Sequence, residues 1–514
     1  RAETAAWQAN QVTRYLTDLL ASADPALHGG QWPSVLQLLE TSRKTLPQAF
    51  ADDPDIRLRL LEVMADTHRR LNRFDASIPM YDEVVALAEK RYGPDHPNTL
   101  LLRIDRGRSL QVQGLFDKAI AALEPLREPA RRVLGEQSES RMDLMYSLNG
   151  CYSRTARLAE SEQLLAELGP LVERMYPAGH PRRLSHLNHV QVLRAGQGRL
   201  REALAAMRQT EPYWPSIPPD HQQLRLVLQR NTIAIQIRLG DYDRIVPRIE
   251  ALLAEGDRFL GAGNDFTAGL RVELARYYTE VGDARQALAV RENILARARA
   301  ARIEHPAVLL PARVSVLLAR AQAHAADGPS LVREARTLLE EMQAKVTNIG
   351  YARASAWIDL ARVGLLLDDA ALASEALGRL HADPGLKLDT DLLLASRVAQ
   401  MDGELARLRG DLSTSRERLA ERMKVFLRPG DPQVLPAWVA ALDLAYTQVL
   451  ARDPQAAQAL DLAAARRPPG APEGHPLDLV ERYLRAHLAD GPQASSTRQA
   501  LDALMRRQGR RAGQ

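Results

Sequence analysis

The sequence predicts an all-α protein, a solenoid of about eleven antiparallel helix pairs, and three observations support this fold class. Turn-forming residues recur every 42 residues. Small residues recur at a fixed distance before those turns. Apolar residues make up 46% of the chain and aromatic residues only 5%, with Ala and Leu dominant. This composition is typical of packed helices, because β-sandwiches and barrels need more β-branched and aromatic residues.

The charge and cysteine content exclude several kinds of protein. A formal net charge of +4 is small for 514 residues, so we expect no nucleic-acid partner. Only six of the 68 basic residues are lysines, and the rest are arginines. The single cysteine, Cys151, excludes an intramolecular disulfide bond, and we interpret it as a buried structural thiol. No apolar run reaches the ~18–20 residues of a membrane span. Because the chain begins at Arg1 without Met, we expect a missing upstream part.

The repeat covers roughly residues 55–505. Similar segments, each a turn followed by an amphipathic helix, include "LNRFDASIPMYDEVVALAE" (71–89), "QGLFDKAIAALEPL" (113–126), "GDYDRIVPRIEALL" (240–253) and "GDARQALAVRENIL" (282–295). Their turn positions are 42 residues apart: Asn72, Gly114, Ala156, Gly198, Gly240 and Gly282. After a two-residue slip in phase near 325–332, the spacing resumes at Asp368, Gly410 and Arg452. The sequence therefore predicts an array over 51–505, preceded by a different region, 1–50, and followed by a basic disordered tail, 506–514.

Small residues precede most of these turns by seven positions. They are Ala65, Gly107, Asn149, Ala275, Ala361, Gly403 and Ala445, whereas Gln191 and Ile233 break the pattern. A small side chain at this point allows two antiparallel helices to approach closely. The pattern therefore predicts that the helix before each turn packs tightly against the helix after it.

These features resemble the tetratricopeptide repeat in its 42-residue, kinesin-light-chain-like form. Tyr152 and Tyr278 match the aromatic residue of that family's first helix, and Ala119, Ala203 and Ala287 match the alanine of its second helix. The resemblance implies that the helix pairs stack into a right-handed superhelix in which each pair covers its neighbour. It also implies that proteins or peptides bind in a concave groove lined by the first helices.

The motif "GPDHP" (93–97) raises the question of whether His96 has a chemical role. Related pieces recur at 178–181, 219–221, 304–306 and 473–476, always in the loop between repeats. Metal ligands must converge within about 2 Å of one ion, which loops of successive repeats do not allow. We interpret His96 as a helix-start residue that bonds free backbone N–H groups before Pro97.

No motif for catalysis, metal binding or cofactor binding is present in the sequence. "GAGND" (261–265) resembles a phosphate loop, but it lies where the repeat loop belongs and no strand precedes it. We therefore predict that this chain is not an enzyme and needs no cofactor. An enzyme built on a helical solenoid would need acids or histidines clustered within one repeat, and the sequence has none.

Projecting the tetratricopeptide geometry onto the sequence places an arginine-rich row in the groove. The residue after the small position is arginine in four repeats, with Asp66 and Glu404 in two others. The predicted groove residues are Arg69, Arg70, Arg108, Tyr146, Arg154, Arg230, Arg276, Arg320, Arg362 and Arg407. Such a row suits acidic peptide segments or a terminal carboxylate. The alternative is that arginine is abundant throughout and occurs there by chance.

The N-terminal region carries a second resemblance. "VTRYLTDLLASADP" (12–25), followed by Val35, Leu38, Leu39 and Ser42, is similar to the segment after the membrane helix in bacterial transmembrane serine/threonine protein kinases with a C-terminal repeat array. Tyr15 and Leu20 replace the usual phenylalanines of that segment. Similar segments also follow the membrane helix of some winged-helix transcriptional regulators.

The resemblance implies that the chain is the extracytoplasmic, periplasmic sensor of such a kinase. Partner binding would change superhelix shape or association, and a juxtamembrane-like helix within 1–50 would transmit the change. Kinase residues are not carried over, because the chain has no H-R-D or D-F-G motif. Two alternatives stay open, namely the sensor of a membrane-tethered transcription regulator and a free-standing cytoplasmic scaffold. The apolar face of 12–20 also makes a homodimer through this helix plausible.

Overall fold

The computed structural model is all-helical, which confirms the predicted fold class. It describes residues 13–15, 17, 21–28, 31–51, 53–70, 73–155, 157–261, 264–300, 306–324, 327–346, 350–383, 386, 392–426 and 434–489. Twenty-three α-helices lie within these residues, and no β-strand does. The segment 1–12, which holds much of the predicted juxtamembrane-like helix, and the predicted tail, 506–514, lie outside the described residues.

The chain divides into two compact units. The first unit comprises Arg1–Thr155 and Ala166–Leu171, and the second comprises Ala156–Leu165 and Val172–Gln514. The helices of the first unit are α1 (Val35–Ala49), α2 (Pro54–Arg70), α3 (Phe74–Tyr92), α4 (Pro97–Val112), α5 (Phe116–Leu123), α6 (Arg127–Leu134) and α7 (Glu139–Arg154). The next helix, α8 (Leu158–Met175), contributes residues to both units. The sequence pattern gave no sign of a division at this point.

The second unit continues the alternation of first and second helices. Its helices are α9 (Pro181–Gly196), α10 (Leu200–Arg208), α11 (Gln222–Leu239), α12 (Ile245–Leu260), α13 (Asp265–Glu280), α14 (Ala284–Ala300), α15 (Pro306–Gln322), α16 (Gly328–Lys345), α17 (Gly350–Leu366), α18 (Ala370–His381), α19 (Leu392–Leu408), α20 (Leu412–Phe426), α21 (Leu435–Leu450), α22 (Ala456–Ala465) and α23 (Pro476–Leu488). A first helix contacts its own second helix and the first helix of the next repeat, as α17 contacts α18 and α19.

The 42-residue period is visible in the backbone dihedral angles. Seven predicted turn positions have a positive φ: Gly114, Gly198, Gly240, Gly282, Asp368, Gly410 and Arg452. Glycine adopts this left-handed conformation without steric strain, which explains its recurrence there. Asn72 and Ala156 lie outside the described residues. The turn positions that the structure describes are therefore confirmed.

The phase slip has a simple structural origin. His324 also has a positive φ, 49°, and it lies 42 residues after Gly282. The second helix begins two residues after the turn in other repeats, as Ala284 follows Gly282, but α16 begins four residues after His324. Two extra residues therefore lie in this turn, and α15 keeps the register of the preceding repeats. The position equivalent to Arg276 (276 + 42 = 318) is then Leu318, which is buried.

The small residues before the turns lie where two helices meet. A Cβ atom added to Gly107 would lie 2.2 Å from Leu123 Cδ2, and one added to Gly403 would lie 2.7 Å from Leu419 Cγ. Ala65, Ala275, Ala361 and Ala445 at the same position are buried. These distances are shorter than real carbon contacts, so a larger side chain would push the helices apart.

His96 starts a helix, as the sequence predicts. It is the N-cap of α4, and its Nδ1 atom accepts a hydrogen bond from the Asn98 backbone N–H over 3.2 Å. His180 and His475 cap α9 and α23 in the same way. A proline occupies the first turn of all three helices, where its missing N–H leaves no bond unmade. The recurring His-Pro pair is thus a local start signal.

Replacing the cap should weaken the fold measurably. We expect His96→Ala to lower the free energy of unfolding by about 1 kcal/mol, because a backbone N–H of α4 loses its acceptor. Urea denaturation followed by circular dichroism would measure this loss. His96→Asn supplies another acceptor and should retain most of the stability. An equal loss in both variants would contradict the capping role.

The N-terminal region packs against the first helices of its unit. The Tyr15 hydroxyl donates a hydrogen bond to the Ser42 carbonyl oxygen over 2.8 Å. The Tyr15 ring meets the Phe50 ring edge-on, with centroids 5.2 Å apart. Phe50 belongs to a hydrophobic core with Leu46 and Ile56. At Tyr15, therefore, this region covers one end of the first unit's core.

In the second unit, helices far apart in the sequence share one hydrophobic core. Buried residues of α11–α13 and of α20–α23 form a single cluster, and α11 contacts α21 directly. The ring of Tyr242 is parallel to that of His475, with centroids 6.1 Å apart. A Cβ atom on Gly240 would lie 3.0 Å from Pro468. The repeats of this unit therefore close on themselves, whereas the sequence predicts contacts between neighbouring repeats only.

Candidate functional site

The first helices carry a repeated pair of opposite charges. An acidic residue lies nine positions before the turn, and an arginine lies six positions before it. In the first unit, Arg108 lies 3.1 Å from Asp105. In the second unit, Arg276 lies 3.4 Å from Glu273. Residues three apart face the same side of a helix, so each pair neutralises itself.

Arg362 is an exception to this pairing. The acid three residues before it, Asp359, lies 3.7 Å from Arg397 of α19 instead. Arg397 also donates a hydrogen bond to the Ser355 hydroxyl over 3.2 Å. Among the residues that the structure describes, Arg362 has no ion-pair partner within 4.0 Å. The α17–α19 contact therefore leaves one partly exposed guanidinium group available.

Helices α19 and α21 are joined by a polar network. The Gln400 side chain donates hydrogen bonds to Glu404 over 2.8 Å and to Asp443 over 3.2 Å. Arg407 lies over the Tyr446 ring, 4.6 Å from its centroid. We call Asp359, Arg362, Arg397, Gln400, Glu404, Arg407 and Asp443 the first-helix cluster. Because its side chains join three successive first helices, a partner bound there would contact several repeats at once.

Two buried arginines lie behind this cluster, at positions that are apolar in other repeats. Arg422 is twelve residues after its turn, where Leu252 and Leu380 are buried in other repeats. Arg291 is nine residues after its turn, where other repeats have Ile249 and Leu377. Arg422 pairs with Asp443. An arginine at a core position costs free energy that a leucine would not, so packing alone does not explain either residue.

The electrostatics of the two buried arginines reflect their surroundings. Burial lowers the pKa of the Arg291 and Arg422 guanidinium groups, and the charge of Arg362 lowers both further. Asp359 and Glu280 act in the opposite direction on the pKa of Arg291, as do Asp443 and Glu404 on that of Arg422. Arg362 is thus electrostatically coupled to two cations that the sequence analysis missed. Aligning the second helices in the 42-residue register would have found them.

Arg320 does not share the position of Arg276 and Arg362. Because of the phase slip, it lies four residues before its turn, as Arg194 does. Arg194 lies 2.7 Å from Glu162 and 3.7 Å from Glu202, which belong to the two flanking second helices. Arg320 likewise lies 3.7 Å from Glu292 and 3.6 Å from Glu334. The predicted register was wrong here, and Arg320 ties second helices together.

The other predicted groove residues make contacts of their own. Arg69 pairs with Asp66, and Tyr146 is buried. Arg154 lies 5.7 Å from the Phe116 ring centroid, and Arg230 lies 5.6 Å from that of Phe266. The side chain of Arg70 lies outside the described residues. Of the predicted residues, Arg362 and Arg407 come together with Glu404 in the first-helix cluster, and their binding role stays a prediction.

Cys151 is buried in α7, and burial raises the pKa of its thiol to about 12. The thiolate is the reactive form of cysteine, so the native protein should resist alkylation. We expect negligible labelling by iodoacetamide at pH 8 and complete labelling after unfolding in guanidinium chloride, measured by intact mass. Rapid stoichiometric labelling of the folded protein would contradict this expectation.

Within the described parts of the chain, no group of three or more His, Cys, Asp or Glu side chains could hold a metal ion. None of the helices described is long and apolar enough to cross a membrane. At the start of α13, Asn264 of the "GAGND" motif accepts a hydrogen bond from the Thr267 backbone N–H over 2.9 Å. It is therefore a helix cap of the kind that histidine provides elsewhere.

Comparison with known proteins supports the architecture. Residues 57–124 match the tetratricopeptide repeat family. No curated protein matches the chain. A kinesin light chain of Podosopora anserina with nearly identical TPR-like repeats is 21% identical, with a TM-score of 0.33, over 40% of this chain and 98% of that one. A Rap protein complexed with Competence and Sporulation Factor is 12% identical, with a TM-score of 0.50, over 72% of this chain and 100% of that one. The chain therefore has a TPR-like helical-repeat fold, and residues 57–124 carry the family's sequence pattern.

Proposed function

We propose that this chain is a protein-binding scaffold whose first helices hold an acidic segment of a partner protein or peptide. The observation that carries the proposal is the unpaired Arg362. Arg397 has taken its neighbour Asp359, so the Arg362 guanidinium group has no ion-pair partner among the described residues. A guanidinium group forms two parallel hydrogen bonds with a carboxylate, and an acidic segment would supply that group.

Two further points support the proposal. Arg407 and Tyr446 lie on the neighbouring first helices α19 and α21, where they offer a cation and an aromatic ring to the same ligand. The Rap protein, which shares the fold, is complexed with Competence and Sporulation Factor. We extend to this chain the binding of a partner, and not the identity of that factor.

A charge reversal with a matched control tests this function. The probe is a fluorescent peptide containing a run of glutamates, with a glutamine peptide of equal length as reference. We expect Arg362→Glu to weaken binding of the glutamate peptide at least about tenfold in fluorescence anisotropy, because attraction becomes repulsion. Arg320→Glu makes the same charge change at a residue held by Glu292 and Glu334, and it should leave the affinity unchanged. Equal loss in both variants, or no loss in either, would contradict the proposal.

We also propose a place for this module in a larger protein, as the extracytoplasmic sensor of a membrane-spanning bacterial serine/threonine protein kinase. The segment "VTRYLTDLLASADP" (12–25) supports this. Binding would alter how the repeats stack, and the N-terminal helix would transmit the change. Sequencing the gene upstream of the Arg1 codon tests it directly. A kinase domain followed by ~20 apolar residues is the expected result. A winged-helix domain would replace phosphorylation with transcription, and a start codon there would contradict both.

A free-standing scaffold is the second candidate, and the packing of Tyr15 favours it. That interpretation predicts that residues 1–50 cap the first repeat, and Tyr15 bonds to Ser42 and packs on Phe50. Hydrogen exchange of residues 13–17 distinguishes the two candidates. Slow exchange that Tyr15→Ala accelerates favours the cap, whereas fast exchange in both forms favours a helix that projects from the array.

A further inference from the structure

The second unit holds two arginines, Arg291 and Arg362, that have no ion-pair partner within 4.0 Å among the described residues. They belong to different helices, α14 and α17. The Nη1 atom of Arg291 is buried and makes no hydrogen bond within the described part of the chain. The Nε atom of Arg422 is buried in the same state. Buried N–H groups are nearly always hydrogen-bonded, so these donors need an explanation.

Nearby acidic residues do not supply the missing partners. Asp359 is held by Arg397, and Asp443 is bonded by Arg422 and Gln400. Glu404 accepts a hydrogen bond from Gln400, and Glu273 pairs with Arg276. Glu280 also faces Arg291 electrostatically but lies beyond ion-pair distance of it. The acids of this region are therefore engaged with other groups, while the cations Arg291 and Arg362 are left over.

The register of the repeats shows that this arrangement is not demanded by the fold. Equivalent positions to Arg291 hold Ile249, Leu377 and Leu419, all of them buried. The fold is therefore complete with an apolar residue at this place. When a local rule is broken without a gain in packing, a functional role is the usual physical reason.

We propose that Arg291 and Arg362 form a binding site for an oxyanion, either a carboxylate or a phosphoryl group, with Arg422 as a buried third cation behind them. The site deepens the proposed function, because it would anchor the acidic group of the bound segment. Guanidinium groups suit both kinds of oxyanion, since their planar N–H donors match two oxygens at once. The uncompensated charge of Arg291 and Arg362 makes such a group more favourable here than at the paired Arg276.

The experiment uses free anions, so that it does not depend on knowing the partner. Thermal unfolding of the full chain is followed in sodium phosphate, sodium acetate and sodium chloride at equal ionic strength, and isothermal titration calorimetry then gives the dissociation constants. We expect phosphate or acetate to raise the melting temperature above the value in chloride, because a ligand bound only by the folded state stabilises it. The anion that gives the shift identifies the group, and a shift with both identifies a site for either.

Three variants locate the site. Arg362→Gln should weaken anion binding about tenfold or more, because a charge-assisted hydrogen bond becomes a neutral one. Arg291→Leu restores the apolar residue of other repeats, so it should fold and also lose the anion-dependent shift. Arg320→Gln, outside the site, should behave as the unchanged chain. Equal shifts in all four proteins, or no shift beyond that in chloride, would overturn the proposal.

The two proposals can fail separately. If the glutamate peptide binds the Arg291→Leu variant as tightly as the unchanged chain, the anchoring site is wrong while the binding function stands. If free anions bind at Arg291 and Arg362 but no acidic peptide binds, the anion site stands and the peptide-binding function is wrong.

Discussion

Trp438→Ala should lower the free energy of unfolding of the second unit by about 3–5 kcal/mol, which is the usual cost of emptying a fully buried aromatic site. Trp438 is 0% exposed and lies in the hydrophobic cluster that joins α11–α13 to α20–α23. Its ring lies 5.1 Å from that of His475, and Arg467 lies 5.4 Å from its centroid. The lost side chain therefore removes contacts from both sides of the closing interface. Guanidinium denaturation followed by circular dichroism measures the change.

The matched control is Trp32→Ala. Trp32 is 78% exposed, so its removal should change stability by no more than about 0.5 kcal/mol. Hydrogen exchange adds a test of closure: Trp438→Ala should also accelerate exchange in α11–α13, some two hundred residues earlier in the chain. Faster exchange confined to the helices around residue 438 would show that the two ends of this unit do not support each other.

Asp443→Ala should be the second large effect, lowering the free energy of unfolding by about 3–5 kcal/mol. Asp443 is the ion-pair partner of Arg422, whose side chain is 6% exposed. Removing the carboxylate leaves a buried guanidinium group without its counter-charge, and Gln400 loses an acceptor as well. Breaking one side of a buried pair is costly because the remaining charge stays away from water. Chemical denaturation at neutral pH measures the loss.

The double variant Asp443→Ala with Arg422→Leu is the decisive control for this prediction. Leucine is the residue found at the equivalent positions 252 and 380, so the neighbouring packing should accept it. We expect the double variant to recover stability to within about 1 kcal/mol of the unchanged chain, since replacing a buried pair by apolar residues is often neutral. A double variant as unstable as Asp443→Ala alone would mean that the carboxylate stabilises the fold through contacts other than Arg422.

Local features of the fold could be read from the sequence because each depends on a few residues near one another in the chain. A glycine permits a left-handed turn wherever it occurs, as at Gly114 and Gly282. His96 followed by Pro97 begins a helix through bonds within three residues. Gly107 matters because Leu123, sixteen residues later, needs the space. Period, turns, caps and helix pairs follow from such short-range effects.

The candidate site was predicted in part. Arg362 and Arg407 were correctly placed on first helices, because helical periodicity fixes which residues share a face. Arg320 was misplaced because the sequence alone did not show whether the phase slip comes before or after α15. Arg291 and Arg422 were missed because they lie on second helices, whose residues were expected to face away from the groove.

The sequence by itself determined that this protein is a helical-repeat array with a 42-residue period, and it determined where nearly every turn lies. Only the tertiary structure decided that Asp359 is held by Arg397, which leaves Arg362 unpaired, and that α11–α13 share a core with α20–α23. The reason is physical. Turns and caps are set by local backbone energetics, whereas the partner of a charge or of an apolar face is whichever group the accumulated rotation of many repeats brings next to it.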